Sequence, residues 1–329
     1  PALITGISLM CMEVMNELGT FELLNIPSIS TGIAENWIIE GNPKSAIGLS
    51  LIALLIIFTL IIFEKFSRRK SKRWSENPAS QDSQGWKLNK FRAFLAIIFS
   101  LFPPIFSFGI PCFWVLLNID QIQKGLSEEL ITLSLRTISL GFITALITMI
   151  FSLVLSLANR ANKSLLLKLT SRLAGIGYAI PGTVLALSLI SISSSKFNFI
   201  AICLLIWGYL VRFLTISKGS IDSSLERISP SLDEAALGLG ENWIGTIKRI
   251  HLPLLQGPIF VGSLLVFVDT IKELPITFLL RPFDFDTLSV RIYQYAGDER
   301  MVEAILPAIL IMALGLVASI TLIPSLEKN

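Results

Sequence analysis

Long apolar stretches separated by polar connectors dominate the hydrophobic pattern of this chain. Eight of them are each close to the roughly 20 residues that a helix needs to cross the hydrocarbon core of a bilayer. They run approximately over residues 2–18, 46–63, 94–117, 138–157, 173–192, 199–216, 258–274 and 302–323. The pattern therefore predicts an all-α polytopic membrane protein with about eight transmembrane helices.

Prolines inside two of these stretches predict bent spans. Pro103, Pro104 and Pro111 lie within the third stretch, and Pro181-Gly182 lies within the fifth. A proline removes a backbone donor and clashes with the preceding turn, so it kinks a helix. In a membrane such breaks are tolerated where neighbouring elements satisfy the freed backbone groups.

Composition supports a membrane protein and limits its chemistry. Hydrophobic residues make up 53% of the chain and charged residues 16%, with a mean hydropathy of +0.71; a soluble domain has roughly 25% charged residues. Cys11, Cys112 and Cys203 all lie in apolar segments, so neither a disulfide framework nor a thiolate metal site is indicated. The single histidine, His251, cannot form a histidine cluster, and no metal ligand is firmly assigned.

The basic residues orient the spans. They concentrate in the connectors that follow the second, fourth and sixth stretches, whereas the alternate connectors are poor in them, apart from the last. Cytoplasmic loops are enriched in lysine and arginine, so these three connectors should be cytoplasmic. The richest of them, between the second and third stretches, is a basic run at a membrane edge. It suits lipid headgroups, and we expect no nucleic-acid partner.

The same basic connector divides the chain into two units. We expect residues 1–66 to be the end of a first membrane unit with two spans, 67–91 a cytoplasmic linker, and 92–329 a second unit with six spans. A shift of 256 residues aligns the first span with the seventh and brings Glu13 onto Asp269 and Glu17 onto Glu273. The chain also opens on Pro1 inside an apolar stretch, so we expect it to be the C-terminal part of two fused halves.

Residues 217–257 form the third cytoplasmic connector, and its pattern predicts a pair of short helices. Pro230 and the spacing from Ser231 to Glu234 are typical of a helix start with a capping box. Gly238 and Gly240 should end this helix, because glycine accepts the left-handed turn at little cost.

The second short helix of the connector should place Trp243, Ile244, Ile247 and Ile250 on one face and end at Pro253. A short amphipathic helix pair outside the bilayer is suited to docking in the groove of a partner.

The connector also fits the spacing E-A-A-x3-G-x9-I-x-L-P at every specified position, with His251 at the variable position between the last isoleucine and leucine. The matching residues are Glu234, Ala235, Ala236, Gly240, Ile250, Leu252 and Pro253. In this the chain resembles the permease subunits of binding-protein-dependent ABC importers, and its fold should be that of a type I importer permease. In that family this loop is the coupling helix that contacts the ATPase.

The resemblance implies several partners and a location. An ABC ATPase dimer would bind at the cytoplasmic face and carry the ATP and Mg, so no cofactor is bound directly by the permease. A periplasmic substrate-binding protein would deliver the substrate, and the protein would be a multi-pass component of the bacterial plasma (inner) membrane. The subunit itself would not be an enzyme, and the chain has no phosphate-binding G-x-x-x-x-G-K-[ST] motif.

Four further stretches are similar to the fused permeases of ferric-iron ABC importers. They are residues 12–19, residues 31–33 with Trp37, residues 177–182 and residues 281–293. The element at 177–182 is shared with thiamine, sulfate and polyamine permeases, which remain the alternative substrates. An ion-coupled secondary transporter is a rival class, because it too would contain intramembrane carboxylates and repeats.

Two pairs of intramembrane carboxylates are candidates for the translocation pathway. Asp269 and Glu273 lie near the far end of the seventh span, and Glu13 and Glu17 are their counterparts in the repeat. Ionisable groups at such depth are costly and usually face a cavity, and carboxylates suit a hard cation such as ferric iron. The alternative is local pairing with the adjacent Lys272.

Three residues of the proline-containing element belong to the same candidate pathway. Tyr178, Pro181 and Gly182 predict a closely packed, kinked segment beside the pore. A purely structural role is the alternative to contact with the substrate.

Overall fold

The computed structural model describes residues 2–69, 88–119, 128–162, 164–192 and 198–327, and within these ranges the chain is helical with short connections and no strand. The all-α prediction is therefore confirmed. Most of the predicted linker over residues 67–91 lies outside the described residues, so the proposed division into two units stays a prediction.

We number the described α-helices α1 to α17 in chain order. They are α1 Ala2–Asn16, α2 Gly19–Leu23, α3 Ile29–Ile38, α4 Pro43–Arg69, α5 Lys90–Pro104, α6 Ile110–Leu117, α7 Glu128–Ala161, α8 Leu165–Ala174, α9 Gly182–Ile192, α10 Asn198–Leu225, α11 Pro230–Gly238, α12 Trp243–Thr246, α13 Leu252–Leu254, α14 Gln256–Lys272, α15 Pro275–Leu280, α16 Leu288–Gly297 and α17 Met301–Glu327. Short π-helical turns connect α5 to α6 and α12 to α13, and a 3-10 turn lies between α8 and α9.

Five helical segments within the described residues are long and apolar enough to cross a membrane, and one of them is α5, the π-helix and α6 together. They are Pro43–Phe63, Lys90–Leu117, Glu128–Ala161, Ile200–Leu225 and Met301–Leu322. Two bent pairs raise the number to seven if each is one span. The first predicted span forms a helix of 15 residues, α1. The predicted count of eight therefore stays a prediction.

Both proline elements disturb their helices, in different ways. Pro103 and Pro104 end α5, and the next turn widens into the π-helix Ile105–Gly109, which accommodates the lost backbone hydrogen bonds. At Pro181 the chain bends by 115° between Leu165–Ala179 and Gly182–Ile192. The residue before it, Ile180, is extended with ψ 126°, because a following proline disfavours the helical region. The predicted bend in the fifth stretch is therefore confirmed.

Helices α7, α10 and α14 pack on one another and form the centre of the C-terminal part of the described chain. Leu205, Tyr209 and Val266 are fully buried there together with Ile276 of α15. The rings of Tyr209 and Phe213 stack with their centroids 5.9 Å apart. This core fixes the far end of α14, where the candidate carboxylates lie.

Helix α9 packs against two separate apolar clusters. Val184 and Leu187 pack against Ile33, Ala46 and Ala53 of α3 and α4. The other side of α9 joins the central core through Leu185 and Ala186. The helix that follows the sharp bend is thus held from two directions.

Two helix boundaries coincide under the shift that the predicted repeat uses. The shift of 256 residues places Asn16, the last residue of α1, on Lys272, the last residue of α14. It also places Gly19, where α2 begins, on Pro275, where α15 begins. A longer helix followed at once by a short helix therefore occurs at both positions.

Gly177 allows the segment before the bend to touch the backbone of α10. A Cβ atom built on Gly177 would lie 1.9 Å from the carbonyl oxygen of Val211. Contacts below 3.0 Å to a Cβ are essentially never seen. Only glycine therefore permits this approach, since the opposing group is backbone and cannot rotate away.

Candidate coupling loop and intramembrane polar cluster

The first helix of the predicted coupling loop, α11, has its N-cap two residues before the predicted N-cap. Ser229 is its N-cap, and the Ser229 hydroxyl accepts a hydrogen bond from the Ser231 backbone N–H at 3.3 Å. The predicted cap at Ser231 with Glu234 is therefore wrong. Pro230 decides the position, because its fixed φ and missing N–H suit the first helical residue, and the preceding Ser229 is held outside the helix.

Gly240 ends this helix in a Schellman motif. The Gly240 N–H donates to the Leu237 carbonyl at 3.0 Å, and the Glu241 N–H donates to the Ala236 carbonyl at 3.1 Å. Gly240 has φ +87°, a left-handed conformation that glycine adopts at little cost. The predicted left-handed turn at Gly240 is confirmed.

The returning part of the loop starts at Asn242, whose side-chain oxygen accepts a hydrogen bond from the Gly245 N–H at 2.7 Å. Helix α12 follows, then the π-helical turn Ile247–His251 and α13. The prediction that Pro253 stops the helix is wrong, since Pro253 lies inside α13, at the start of a new helical turn where its missing N–H is tolerated. The change of direction, 70°, comes after Leu254.

The residues of the E-A-A spacing divide between two surfaces. Glu234, Ala235, Gly240 and Pro253 are exposed, whereas Ala236 is buried; Ile250 and Leu252 are half-buried.

Several large apolar side chains of the loop are exposed as well, and we call this set the outer apolar surface of the loop. Its members are Leu232, Leu237, Leu239, Ile244 and Leu254. Exposed large apolar groups on a loop outside the predicted spans are candidates for a protein contact surface.

At the opposite end of α14, the structure brings most of the predicted pathway residues together. The Tyr178 hydroxyl donates to Glu13 Oε2 at 3.1 Å. The Gly182 N–H, at the start of α9, donates to Asn16 Oδ1 at 2.6 Å. The bend at Pro181 is therefore hydrogen-bonded to the end of α1.

Glu273 of the same cluster is paired with Arg212, which the sequence analysis did not single out. Arg212 Nε lies 3.6 Å from Glu273 Oε2, and both side chains are almost fully buried. Arg212 also donates to the Ile180 carbonyl at 2.9 Å, and its guanidinium lies over the Tyr178 ring at 5.4 Å. A lone arginine inside an apolar stretch is itself a signal of function, and it could have been noted from the sequence.

The remaining two carboxylates make local contacts. Asp269 Oδ1 lies 2.9 Å from Lys272 Nζ, as the alternative of local pairing proposed. Glu17 is exposed and accepts two hydrogen bonds from Thr20, at 3.0 Å from the backbone N–H and 2.9 Å from the hydroxyl. Glu17 and Asp269 are thus near the cluster without joining the contact between Arg212 and Glu273.

A cleft of 1270 Å³ opens beside this cluster, between α1–α2 and α14–α17. Six carboxylates and three basic side chains line it, so its charge is net negative. Across the cleft, burial raises the pKa of Tyr293 to about 12, and the nearby Glu22 carboxylate adds to this effect. No group of three or more His, Cys, Asp or Glu side chains within the described part of the chain is arranged to hold a metal ion.

The architecture is that of a multi-pass helical membrane protein, with a structured loop at one end of α14 and a polar cluster at the other. Residues 156–327 match the family described as binding-protein-dependent transport system inner membrane component. This is more than half of the chain, which therefore belongs to that family of multi-pass inner membrane proteins.

A curated relative and two solved structures are similar to the chain. The Fe(3+)-transport system permease protein FbpB 2 of Haemophilus influenzae is 25% identical over 312 residues, which are 92% of this chain and 62% of the relative. The chain thus spans less than two thirds of that protein's length.

The two solved structures are similar in fold. A bacterial ABC transporter involved in the import of the acidic polysaccharide alginate matches with TM-score 0.56 and 15% identity, over 72% of this chain and 94% of the matched chain. A bacterial alginate ABC transporter in complex with a periplasmic protein bound to an alginate pentasaccharide matches with TM-score 0.52 and 17% identity, over 71% and 94%. At these identities they support the fold of an ABC importer permease.

Proposed function

We propose that the chain is part of the permease of an ATP-driven importer that takes up ferric iron delivered by a periplasmic binding protein. The observation that carries the substrate is the similarity to a ferric-iron permease along 92% of this chain. The net negative cleft agrees with a cationic substrate, because its field attracts cations. Its carboxylate and phenol oxygens are hard ligands of the kind a hard cation prefers.

The coupling loop supports a separate ATPase as the second partner. Glu234 and Ala235 are exposed beside the outer apolar surface of the loop, and the Schellman turn at Gly240 fixes the shape of the helix that presents them. An apolar patch with a polar rim is suited to a groove on another protein. That partner would be an ABC ATPase dimer, which would bind the ATP and Mg, and the permease would perform no chemistry of its own.

The central test is reconstitution of the complete permease polypeptide with its ATPase in liposomes. The ATPase rate is measured with the periplasmic binding protein loaded with ferric iron, with the same protein empty, and with thiamine, sulfate or a polyamine offered instead. Stimulation by the iron-loaded protein alone is expected. Stimulation by another ligand would support the ABC importer and refute ferric iron as the substrate. Transport without the ATPase would favour an ion-coupled carrier.

Variants of the loop test the contact with the ATPase. Glu234→Lys reverses an exposed charge of the proposed docking surface, and Gly240→Asp strains the left-handed turn by about 1–2 kcal/mol. Both should abolish uptake while the permease remains in the membrane. Glu226→Lys is the matched control, since Glu226 is exposed in the same connector and outside the E-A-A spacing. Normal uptake by both loop variants would refute the coupling role.

Charge-neutral variants test the pathway. Asp269→Asn and Glu273→Gln keep the shape of the side chains and remove their charge. If the carboxylates guide the cation, uptake should fall in both variants while insertion in the membrane is kept. Full transport by both would assign the two residues to local pairing with Lys272 and Arg212.

A further inference from the structure

Asp233, immediately before Glu234, faces away from the outer apolar surface of the loop. It is buried, whereas Glu234 is exposed, because neighbouring residues on a helix point about 100° apart. Its Oδ1 atom lies 3.1 Å from Nε2 of His251, which is fully buried in the returning part of the loop. Asp233 therefore connects the outgoing helix α11 with the returning segment.

The other carboxylate oxygen of Asp233 binds Arg160, in the last turn of α7. Arg160 Nε donates to Asp233 Oδ2 at 2.7 Å. The same guanidinium donates to the carbonyls of Leu225 at 2.7 Å, Ile228 at 3.0 Å and Ser229 at 3.4 Å. The last residue of α10 and the start of the loop are thus held by one side chain that belongs to another span.

The contact set joins four elements at one point: α7, α10, α11 and the segment that leads into α14. Arg160 and Asp233 have side chains only 14% and 13% exposed, so each charge depends on the other for compensation. Trp243 closes the cluster on the loop side, with its ring 5.7 Å from that of His251. If the loop moved independently of the spans, the ion pair between Arg160 and Asp233 would have to break.

We propose that Arg160, Asp233 and His251 are positioning residues that make the coupling loop and the ends of α7, α10 and α14 move as one rigid body. The proposal deepens the proposed function and rests on it for the source of the movement, which would be the ATPase. Rigid elements with defined contacts are what transmits a change between distant sites. The outer apolar surface would bind the ATPase, and this cluster would pass its motion to the spans.

The first test measures rigidity and needs no ATPase. A nitroxide label is attached through Leu239→Cys, at a highly exposed site of the loop, in the complete permease with Cys11, Cys112 and Cys203 changed to serine. Its mobility is compared by electron paramagnetic resonance in His251→Leu and His251→Gln. Gln keeps an N–H donor at the position of Nε2, so the label should become mobile in the leucine variant and remain immobile with glutamine. Equal spectra in the two variants would overturn the proposal.

The second test measures coupling in liposomes with the ATPase and the iron-loaded binding protein. Arg160→Gln should bind the ATPase and keep its basal ATP hydrolysis, while iron transported per ATP falls about tenfold, within the range of coupling free energies. The exchange Arg160→Asp with Asp233→Arg should recover part of the loss. A loss of thermal stability with an unchanged ratio of iron to ATP would show a merely structural role and overturn the proposal.

The two tests separate this proposal from the proposed function. If the wild-type permease binds no ATPase, the proposed function fails, and the label mobility still decides whether the cluster holds the loop rigid. If the ATPase binds and the ratio of iron to ATP is unchanged in Arg160→Gln, the importer function is supported and the proposed role of the cluster is refuted.

Discussion

Replacing Gly177 with alanine should destabilise the protein far more than the addition of one methyl group suggests. The new Cβ would lie 1.9 Å from the Val211 carbonyl oxygen, where at least 3.0 Å is needed. The backbones of the segment before the bend and of α10 must therefore separate by about 1.1 Å, and close-packed interiors do not absorb such a shift locally. We expect a loss at or above the upper end of the roughly 1–3 kcal/mol typical of overpacking.

The assay is thermal unfolding of the purified permease in detergent, compared with Gly219→Ala. Gly219 lies in α10, two turns beyond Val211, and a Cβ there meets nothing within 4 Å. That control should be neutral or stabilising by roughly 0.5–1 kcal/mol, because alanine is the better helix former. Equal midpoints for Gly177→Ala and the wild type would refute the reasoning and mean that the two segments do not touch as described.

Three further predictions concern buried and capping groups. Arg212→Gln alone should cost about 3–5 kcal/mol, because it leaves the Glu273 charge buried and unpaired, while the double variant with Glu273→Gln should recover most of this in thermal unfolding; an equally unstable double variant would contradict the pairing. Burial lowers the pKa of His251 in the folded protein, with Arg160 acting in the same direction and Asp233 opposing it. As the pH falls, the unfolded protein therefore binds a proton at His251 before the folded protein does, so the stability should fall below about pH 6.5. Unfolding midpoints between pH 8 and 5 should show this slope in the wild type and a smaller one in His251→Gln; parallel curves would argue against it. Asn242→Ala should cost about 1 kcal/mol of local stability and speed amide exchange at the capped end of α12 about fivefold, as measured by hydrogen exchange; unchanged exchange would mean that the cap is not formed.

Much of the coupling loop could be predicted from sequence because its determinants are local. Gly240 ends its helix by adopting a positive φ, which glycine accepts far more readily than other residues, so this role could be predicted from the residue type. The start was misplaced by two residues, since Ser229 and Ser231 are both good caps and only the proline between them decides. Local rules thus predicted the helix pair of the loop but not the residues at which its helices begin and end.

The partner of His251 could not be predicted, because the contact with Asp233 depends on how two short helices fold onto each other. The sequence interpretation of His251 as a variable position between Ile250 and Leu252 is incomplete, since the side chain is fully buried against Asp233. Arg212 is different, because a charged residue within a span predicts that a polar partner exists, even when the sequence does not identify it. Long-range pairing was the part that sequence could not supply.

Helix α9 has a mechanical consequence that follows from its two packed sides. Val184 and Leu187 pack against α3 and α4, which belong to the predicted first unit, while Leu185 and Ala186 pack into the core of α7, α10 and α14. If the two units rotate against each other, α9 can follow only one of them, so its contacts with the other must slide or open. The bend at Pro181, where the chain already turns by 115°, is then the hinge that such a rotation would use, and the hydrogen bond from Gly182 to Asn16 is a contact that it would strain.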